Sequence, residues 1–241
     1  MPALFRCINI CYAKIMLNEL FFLLQIITVI FFVLIALNIG SQALVAFVCM
    51  QVILANLFVT KQITLFGLNA TCSDVFIIGS ILGINLLQEY FEQNLAKKVI
   101  YINFFVSIFY LVMSQIHLIY VPNSYDYMQE HFLYILKFMP KLTVASIIAY
   151  FVVQILNLWF YKFLKKIFQD KFLVTRNFIS ICVSQLIDTL LFAFIGLYGI
   201  VNSIWSVIAI SCAIKIVIVL ISTPFINLVK FVNFSKKLTN K

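Results

Sequence analysis

The residues best suited to chemistry in this chain form the polar run Ser184-Gln185-Leu186-Ile187-Asp188-Thr189, which interrupts an apolar stretch. Lys215 follows about one helix later, inside the apolar stretch from Ile204 to Leu220. A carboxylate and an ammonium in such surroundings cost several kcal/mol each unless they pair, face a cavity or bind a ligand. Ionisable groups inside apolar segments therefore mark candidate substrate or ion pathways.

The sequence contains no motif for enzymatic catalysis. It has no Ser-His-Asp set, no GxGxxG or Walker loop, and its two histidines, His117 and His131, have no motif around them. The six cysteines form no CxxC pair and have no histidine at ligand spacing. Four of them lie in or beside apolar segments, where a thiol acts as a small hydrophobic group. We therefore expect no enzyme activity, no metal, no cofactor and no disulfide framework.

The composition is that of a membrane protein. Of the 241 residues, 64% are hydrophobic and 10% are charged, and the mean hydropathy is +1.11. A soluble domain of this length would need far more charge to cover its surface. Apolar runs of roughly 20 residues, each long enough to cross about 30 Å of hydrocarbon, recur along the whole chain. The lipid bilayer is therefore the expected surrounding of the protein.

Seven apolar segments predict an all-α, polytopic helical bundle that forms a single transmembrane domain over residues 1–241. Helices are expected instead of a barrel, because barrel strands have about ten residues of alternating polarity and no segment here alternates. Six helices form the core, and the first is an extra N-terminal helix after a tail of residues 1–19. The predicted helices are Leu20–Leu37, Ala43–Val59, Val75–Phe91, Val99–Val121, Leu142–Tyr161, Phe178–Tyr198 and Ile204–Val229.

The net charge of +9 indicates topology and not nucleic-acid binding, because Lys and Arg gather in the connections between spans. The connection over residues 162–176 and the tail of residues 230–241 are basic, whereas the loop after Pro122 carries Asp126 and Glu130. We expect the basic connection and the C-terminus in the cytoplasm and the Pro122 loop outside. The expected location is the inner (plasma) membrane.

The side of the N-terminus stays open. Seven helices with a cytoplasmic C-terminus put the first residues outside, although Arg6 and Lys14 favour the inside. Met16 directly precedes the first apolar run and is an alternative start to Met1. A cleaved signal peptide is a further alternative, but no A-x-A-like site follows the run.

Four of the predicted helices carry polar side chains along one face, at the spacing of a 3.6-residue turn. Such faces are expected to point at one another instead of at lipid. These side chains could bind a substrate, but three structural roles are also open. They could form hydrogen bonds between helices, each worth about 0.6 kcal/mol, or extend to the membrane interface from positions near helix ends. Asp188 and Lys215 could also form a purely structural ion pair. The pair alone does not explain why Gln185 and Thr189 adjoin the carboxylate, and this favours a binding site. By helix, the polar residues are Gln51, Asn56 and Lys61; Asn85, Gln88 and Glu89; Asn177, Ser184, Gln185 and Asp188; and Ser211, Lys215 and Ser222.

Two motifs resemble those of the queuosine-precursor transporter family, also known as vitamin uptake transporters. The run from Ser184 to Phe192 fits the family pattern S-Q-x-x-D-T-x-x-F nearly completely. The run from Asn85 to Glu92, followed by a basic pair at residues 97–98, fits the pattern D-[IL]-x-x-E-x-Y-G in part. Asn85 stands in place of the acid and Glu92 in place of the glycine. The resemblance covers residues 43–229, nearly all but the first helix.

The resemblance implies import of 7-deazaguanine queuosine precursors for tRNA modification: queuine, or 7-cyano- or 7-aminomethyl-7-deazaguanine. We interpret Asp188 as the acceptor for the N1–H and 2-amino groups of the base, Gln185 as a donor to O6, and Lys215 as the charge that balances Asp188 in the empty site. Glu89 would attract the cationic amine on the 7-substituent. The candidate substrate-binding residues are Asp188, Gln185, Thr189, Lys215, Glu89, Asn85, Asn56, Lys61, Ser184 and Asn177.

Two other functions compete with independent transport of a small molecule. A substrate-capture subunit that needs an energy-coupling partner would have a similar size and helix count. A membrane enzyme acting on a lipid is disfavoured, because no nucleophile or metal ligands are present to perform the reaction. For a transporter, we expect binding near the midplane and alternating exposure to the two sides. The coupling ion and a homo-oligomeric state stay open.

Overall fold

The computed structural model describes residues 2–58, 61–65, 68–71, 73–136, 140–197 and 204–222. The end of the last predicted helix and the basic tail lie outside these residues. Within them the chain forms eight helices and one hairpin, and α7 runs on into a π-helical turn at Ala193–Leu197. The elements are α1 (Pro2–Ile39), α2 (Ser41–Phe58), β1 (Gln62–Leu65), β2 (Leu68–Thr71), α3 (Ser73–Tyr90), α4 (Gln93–Ile119), α5 (Gln129–Leu136), α6 (Pro140–Ile167), α7 (Leu173–Phe192) and α8 (Ile204–Ser222).

The predicted all-α, polytopic bundle is confirmed. Within the described ranges, five helical segments are long and apolar enough to cross a membrane. Of the other two predicted spans, α3 is not among these five, and the described side chains of α8 contribute the apolar segment Ser211–Leu220. The five spans are Leu17–Ile39, Ser41–Phe58, Gln93–Ile119, Ile147–Ile167 and Leu173–Ile195.

α3 occupies the central position in the bundle. This helix contacts α1, α2, α4, α6, α7 and α8, and 13 of its 18 residues are buried. A helix that packs against protein on nearly all sides needs less apolar surface than one that faces lipid, and its polar side chains can bond to other helices. α3 therefore presents its polar residues to α6, α7 and α8.

Two glycines allow α2 to pack closely against α3. Gly79 and Gly83 lie one turn apart on α3, and a Cβ atom added to either would overlap a side chain of α2, namely Gln51 at Gly79 and Val48 at Gly83. Small residues at this spacing are a common way for membrane helices to approach each other. The contact fixes α3 against the N-terminal half of the bundle.

The hairpin between α2 and α3 is not predicted by the sequence, since no alternation of polarity stands out there. β1 and β2 pair antiparallel, with Gln62 opposite Thr71 and Leu65 opposite Leu68. The amide Nδ2 of Asn18 donates a hydrogen bond to the Thr64 carbonyl oxygen at 3.3 Å. Each strand has only four residues, which is too short for a clear periodicity.

The short helix α5 is also not predicted. Asp126 caps it, because its Oδ1 accepts hydrogen bonds from the backbone N–H groups of Met128 at 2.8 Å and Gln129 at 3.1 Å. α5 packs against α4, and residues 121–128 of the preceding loop are exposed. The connection after Pro122 thus contains a short helix of two turns.

The bundle has two chemically different ends. One, the hairpin end, contains the hairpin and the first turn of α3, and the bond from Asn18 brings the start of the apolar part of α1 to it. The other, the basic end, contains the last turn of α3 and the α6–α7 connection. There Lys165 Nζ lies 3.4 Å from Glu89 Oε2 and 3.5 Å from Asp170 Oδ1.

Candidate substrate-binding site

An ion cluster joins α3, α7 and α8 near the hairpin end. The ammonium of Lys215 on α8 donates a hydrogen bond to Asp188 Oδ2 on α7 at 2.7 Å and lies 3.6 Å from Asp74 Oδ1 on α3. Lys215 is only 6% exposed, and the side chains of Asp188 and Asp74 are 14% and 19% exposed. The predicted pairing of Asp188 with Lys215 is therefore present. Asp74 is an additional member that was not predicted.

A cavity of about 330 Å³ adjoins this cluster between α7 and α8. Most of its wall is apolar, and the polar side chains in the wall are those of Gln185 and Lys215. Asp188 does not line the cavity, and its Oδ2 accepts the hydrogen bond from Lys215, which does. The lining residues are Phe178, Cys182, Val183, Gln185, Leu186, Cys212, Lys215, Ile216 and Val219.

Gln185 has unused hydrogen-bonding capacity at this cavity. Its side chain is 3% exposed, yet neither its Oε1 nor its Nε2 has a hydrogen-bond partner among the described residues. A buried amide without partners costs free energy, roughly 1–3 kcal/mol. A ligand in the cavity could satisfy both atoms. Thr189 differs, because its hydroxyl donates to the Gln185 carbonyl oxygen of its own helix at 2.8 Å.

A second polar network lies between α3, α6 and α7, farther from the hairpin end than the ion cluster. Its centre is Asn157 on α6, whose Nδ2 donates to Asn85 Oδ1 at 2.8 Å. The Asn157 Oδ1 accepts hydrogen bonds from the hydroxyls of Ser180 at 2.5 Å and Ser184 at 3.0 Å. All four residues are buried, and Asn85 Nδ2 has no partner among the described residues. The candidates Asn85 and Ser184 thus meet through a residue that was not predicted.

A third polar group closes the basic end. Arg176 on α7 is fully buried and donates hydrogen bonds from its two terminal nitrogens to the two carboxylate oxygens of Glu89, at 3.1 and 3.0 Å. Glu89 Oε2 also accepts a hydrogen bond from the Tyr161 hydroxyl at 3.2 Å and pairs with Lys165. The guanidinium lies 5.7 Å from the centre of the Tyr161 ring. Such a bidentate pair is the strong, directional form of a salt bridge.

The position of Glu89 contradicts its predicted role beside Asp188. Asp74 and Glu89 lie fifteen residues apart on α3, so about 22 Å of helix separates the ion cluster from the basic-end group. A single base cannot bridge that distance, and Arg176 and Lys165 already neutralise Glu89. The cationic 7-substituent of a base held at Asp188 therefore does not reach Glu89.

The remaining candidates also lie away from the cavity. Asn177 belongs to the basic-end group, where its Nδ2 donates to the Leu173 carbonyl oxygen at 3.1 Å and lies 3.5 Å from the Tyr161 hydroxyl. Asn56 Nδ2 donates to the Val52 carbonyl oxygen of its own helix at 3.1 Å. Lys61 is exposed between α2 and the hairpin. The structure brings Asp188, Gln185 and Lys215 together and leaves these three outside the group.

Comparison with known proteins places the chain in a family. Residues 71–229 match the family described as "Putative vitamin uptake transporter". The chain is also 32% identical over 191 residues to a Bacillus subtilis (strain 168) protein named "Probable queuosine precursor transporter", an alignment that covers 77% of this chain and 82% of that protein. The chain belongs to the queuosine-precursor transporter family. No solved structure is significantly similar to it.

Sequence reasoning missed several polar residues of this transporter, among them Asp74, Arg176 and Asn157. Asp74 escaped notice because it stands one residue before the predicted start of the third helix. Arg176 belongs by sequence to the basic connection, where it reads as a topological charge, although it is fully buried. Asn157 is a polar residue inside the apolar segment of the fifth predicted helix, and this is the signal that could have found it.

The transporter's polar groups are suited to hydrogen bonding and charge pairing. Within the described ranges, no three His, Cys, Asp or Glu side chains converge as metal ligands. The cavity at the ion cluster has a mostly apolar wall that a flat ring could pack against. Its polar groups are the Gln185 amide, whose donor and acceptor have no partner among the described residues, and the Lys215 ammonium, which lies near the carboxylates of Asp74 and Asp188. This arrangement combines apolar surface with groups that can form hydrogen bonds and ion pairs.

Proposed function

We propose that this transporter imports 7-deazaguanine queuosine precursors and binds them in the cavity between α7 and α8. The observation that carries the proposal is the unpartnered amide of Gln185 in the wall of a cavity next to the Asp188–Lys215 pair. The printed name of the Bacillus subtilis relative supports this class of substrate.

The size and lining of the cavity agree with a flat heterocyclic ligand. A volume of about 330 Å³ is at the lower end of the range for small-molecule sites. Such sites combine mostly apolar walls with a few polar groups that fix orientation. The apolar side chains would pack against the faces of the base, while Gln185 and Lys215 would bond to its edge.

The edge of a 7-deazaguanine matches these groups. Its O6 accepts a hydrogen bond, and its N1–H and 2-amino groups lie side by side, as two parallel donors to one carboxylate. Gln185 Nε2 would donate to O6, and Asp188 would accept from N1–H and the 2-amino group once Lys215 moves aside. Adenine presents neither the O6 acceptor nor the N1–H donor, so it would leave these buried groups unpaired and be rejected strongly.

We infer the orientation of the protein in the membrane from the two ends of the bundle. Lys and Arg are enriched on the cytoplasmic side of membrane proteins, and the basic end contains Lys165, Lys166 and Arg176. We infer that the basic end faces the cytoplasm in the inner membrane and that the hairpin end faces outward. The ion cluster then lies nearer the outer side, and the basic-end group closes the inner side. The same rule puts the C-terminus in the cytoplasm.

The test of this function is uptake by the chain alone. A cell that neither makes nor imports queuosine precursors is given this gene, and queuosine in its tRNA is measured after feeding queuine or the 7-cyano or 7-aminomethyl base. We expect queuosine to appear and excess unlabelled deazaguanine, but not adenine, to block labelled uptake. Absence of queuosine with the protein present in the membrane contradicts the proposal.

The alternative is a substrate-capture subunit that binds the base and needs an energy-coupling partner. The same cell separates the two functions, because a capture subunit would bind the base in detergent and yet import nothing without its partner. Binding measured on the purified protein is therefore run beside uptake.

A further inference from the structure

The ion cluster contains one more acid than its single base can neutralise. Asp74 and Asp188 carry two negative charges and Lys215 carries one positive charge, so the formal charge of the three groups is −1. The three side chains come from three helices, α3, α7 and α8. A simple structural pair between α7 and α8 would need only Asp188 and Lys215. The pairing of Asp188 with Lys215 therefore does not explain why Asp74 is part of the cluster.

The position of Lys215 shows what a second acid could do. The ammonium forms a hydrogen bond to Asp188 at 2.7 Å and lies 3.6 Å from Asp74, so a short movement exchanges one partner for the other. Lysine has a flexible stem and three equivalent donors, which makes such an exchange easy. Lys215 lines the cavity and Asp188 does not. In this state the carboxylate that the base would need is bonded to Lys215 and is not part of the cavity wall.

We propose that Asp74 is the second acceptor of the Lys215 ammonium: when a substrate bonds to Asp188, Lys215 moves to Asp74 and uncovers the carboxylate. Asp74 is then a positioning residue that acts through Lys215. The exchange keeps the buried ammonium paired before and after binding, and leaving it unpaired would be costly. The inference rests on the proposed function, because it takes Asp188 as the ligand of the base.

The test uses variants that separate the effect of the charge at Asp74 and Lys215 from the effect of the particular side chain. Asp74→Asn leaves Lys215 with Asp188 as its one acid, so we expect the KM for uptake to rise at least tenfold. Lys215→Met leaves two neighbouring carboxylates and should also lower uptake at least tenfold. Asp74→Glu keeps a carboxylate on α3 and should stay within about threefold of the wild type, as order-of-magnitude expectations for affinity changes.

Two double variants decide the matter. Asp74→Asn with Lys215→Met keeps the formal charge of −1 and leaves Asp188 uncovered, so uptake should recover at least tenfold over either single variant. Asp188→Asn with Lys215→Met has the same charge but no base-binding carboxylate, and should stay inactive. Membrane level and elution from a sizing column in detergent are measured for each variant, because a misfolded variant would mimic loss of uptake.

The outcomes are distinguishable. If the two double variants behave alike, or if the first is folded and no better than the single variants, Asp74 is not the second acceptor. If Asp74→Asn is folded and transports with an unchanged KM, the proposal also fails. A wild-type chain without uptake overturns the proposed function first, and with it the inference about Asp74.

Discussion

The buried pair of Arg176 and Glu89 leads to a quantitative prediction about stability. Arg176 is 0% exposed and the Glu89 side chain is 15% exposed, so replacing the carboxylate leaves a buried guanidinium without its counter-charge. Removal of one partner of a buried pair costs about 3–5 kcal/mol. Two contacts of Arg176 would remain, the hydrogen bond to the Asp170 carbonyl oxygen at 3.2 Å and the Tyr161 ring at 5.7 Å.

We therefore expect Glu89→Gln to destabilise the protein by about 3 kcal/mol, the lower end of that range. This corresponds to a fall of about two orders of magnitude in the ratio of folded to unfolded protein. The assay is unfolding of the purified protein in detergent, followed by the fraction that remains monodisperse on a sizing column as temperature or denaturant increases.

The structure offers a matched control for this prediction. Lys165 is another charged partner of Glu89, but its side chain is 33% exposed. Exposed pairs contribute roughly 0–1 kcal/mol, so Lys165→Met should cost less than about 1 kcal/mol. The double variant Glu89→Gln with Arg176→Met removes both buried charges, and it should be more stable than Glu89→Gln alone.

Two results would refute this reasoning. One is a Glu89→Gln variant as stable as the wild type, and the other is a double variant less stable than Glu89→Gln. An equal loss of stability in the Lys165→Met and Glu89→Gln variants would show instead that stability depends on the number of charges at the basic end and not on their burial.

Three further predictions concern the cavity and the helix packing. Asp188→Ala should abolish uptake with the protein still in the membrane, and normal uptake would remove Asp188 from the site. Gln185→Leu should raise the KM for a deazaguanine at least tenfold without loss of stability in detergent, because its amide has no partner to lose; a stability loss above about 1 kcal/mol would instead indicate a structural amide. Gly83→Leu should cost about 1–3 kcal/mol, since its side chain would overlap Val48 of α2, and Gly83→Ala should cost less in the same unfolding assay. Equal stability of Gly83→Leu and the wild type would contradict the close packing of α2 and α3.

The helices and the ion pair could be predicted from the sequence for clear physical reasons. Long apolar runs are recognisable without knowledge of the fold, and within the described residues each of the seven predicted segments overlaps a helix of the structure. The pairing of Asp188 with Lys215 could be foreseen because few other groups could neutralise either charge inside apolar segments. The spacing of Ser184, Gln185 and Asp188 places them on one face of a helix, which is the face of α7 that meets α6 and α8.

The grouping of polar residues could not be foreseen, because it depends on how the helices are staggered. Asn85 and Glu89 are one turn apart on α3, yet one joins the network of Asn157 and the other joins Arg176. Sequence periodicity gives the face of a helix but not the depth at which a neighbouring helix presents its own polar residues. The prediction of one site therefore merged groups that lie at different depths along α3.

The same two helices, α3 and α7, contribute side chains to all three polar groups. α3 contributes Asp74, Asn85 and Glu89, and α7 contributes one face with members in every group: Arg176 and Asn177, Ser180 and Ser184, and Gln185 with Asp188. The bidentate pair lies at the basic end, and the shared ammonium and the unpartnered amide lie toward the hairpin end.

α3 packs against six other helices and is fixed to α2 through Gly79 and Gly83, whereas α7 borders both α6 and the cavity at α8. A rigid α7 that shifts when a base bonds to Gln185 and Asp188 would change the register of Arg176 against Glu89 at the other end. In the orientation proposed above, opening toward the cytoplasm would require the bidentate pair to break, so the free energy of substrate binding would have to offset the loss of that pair.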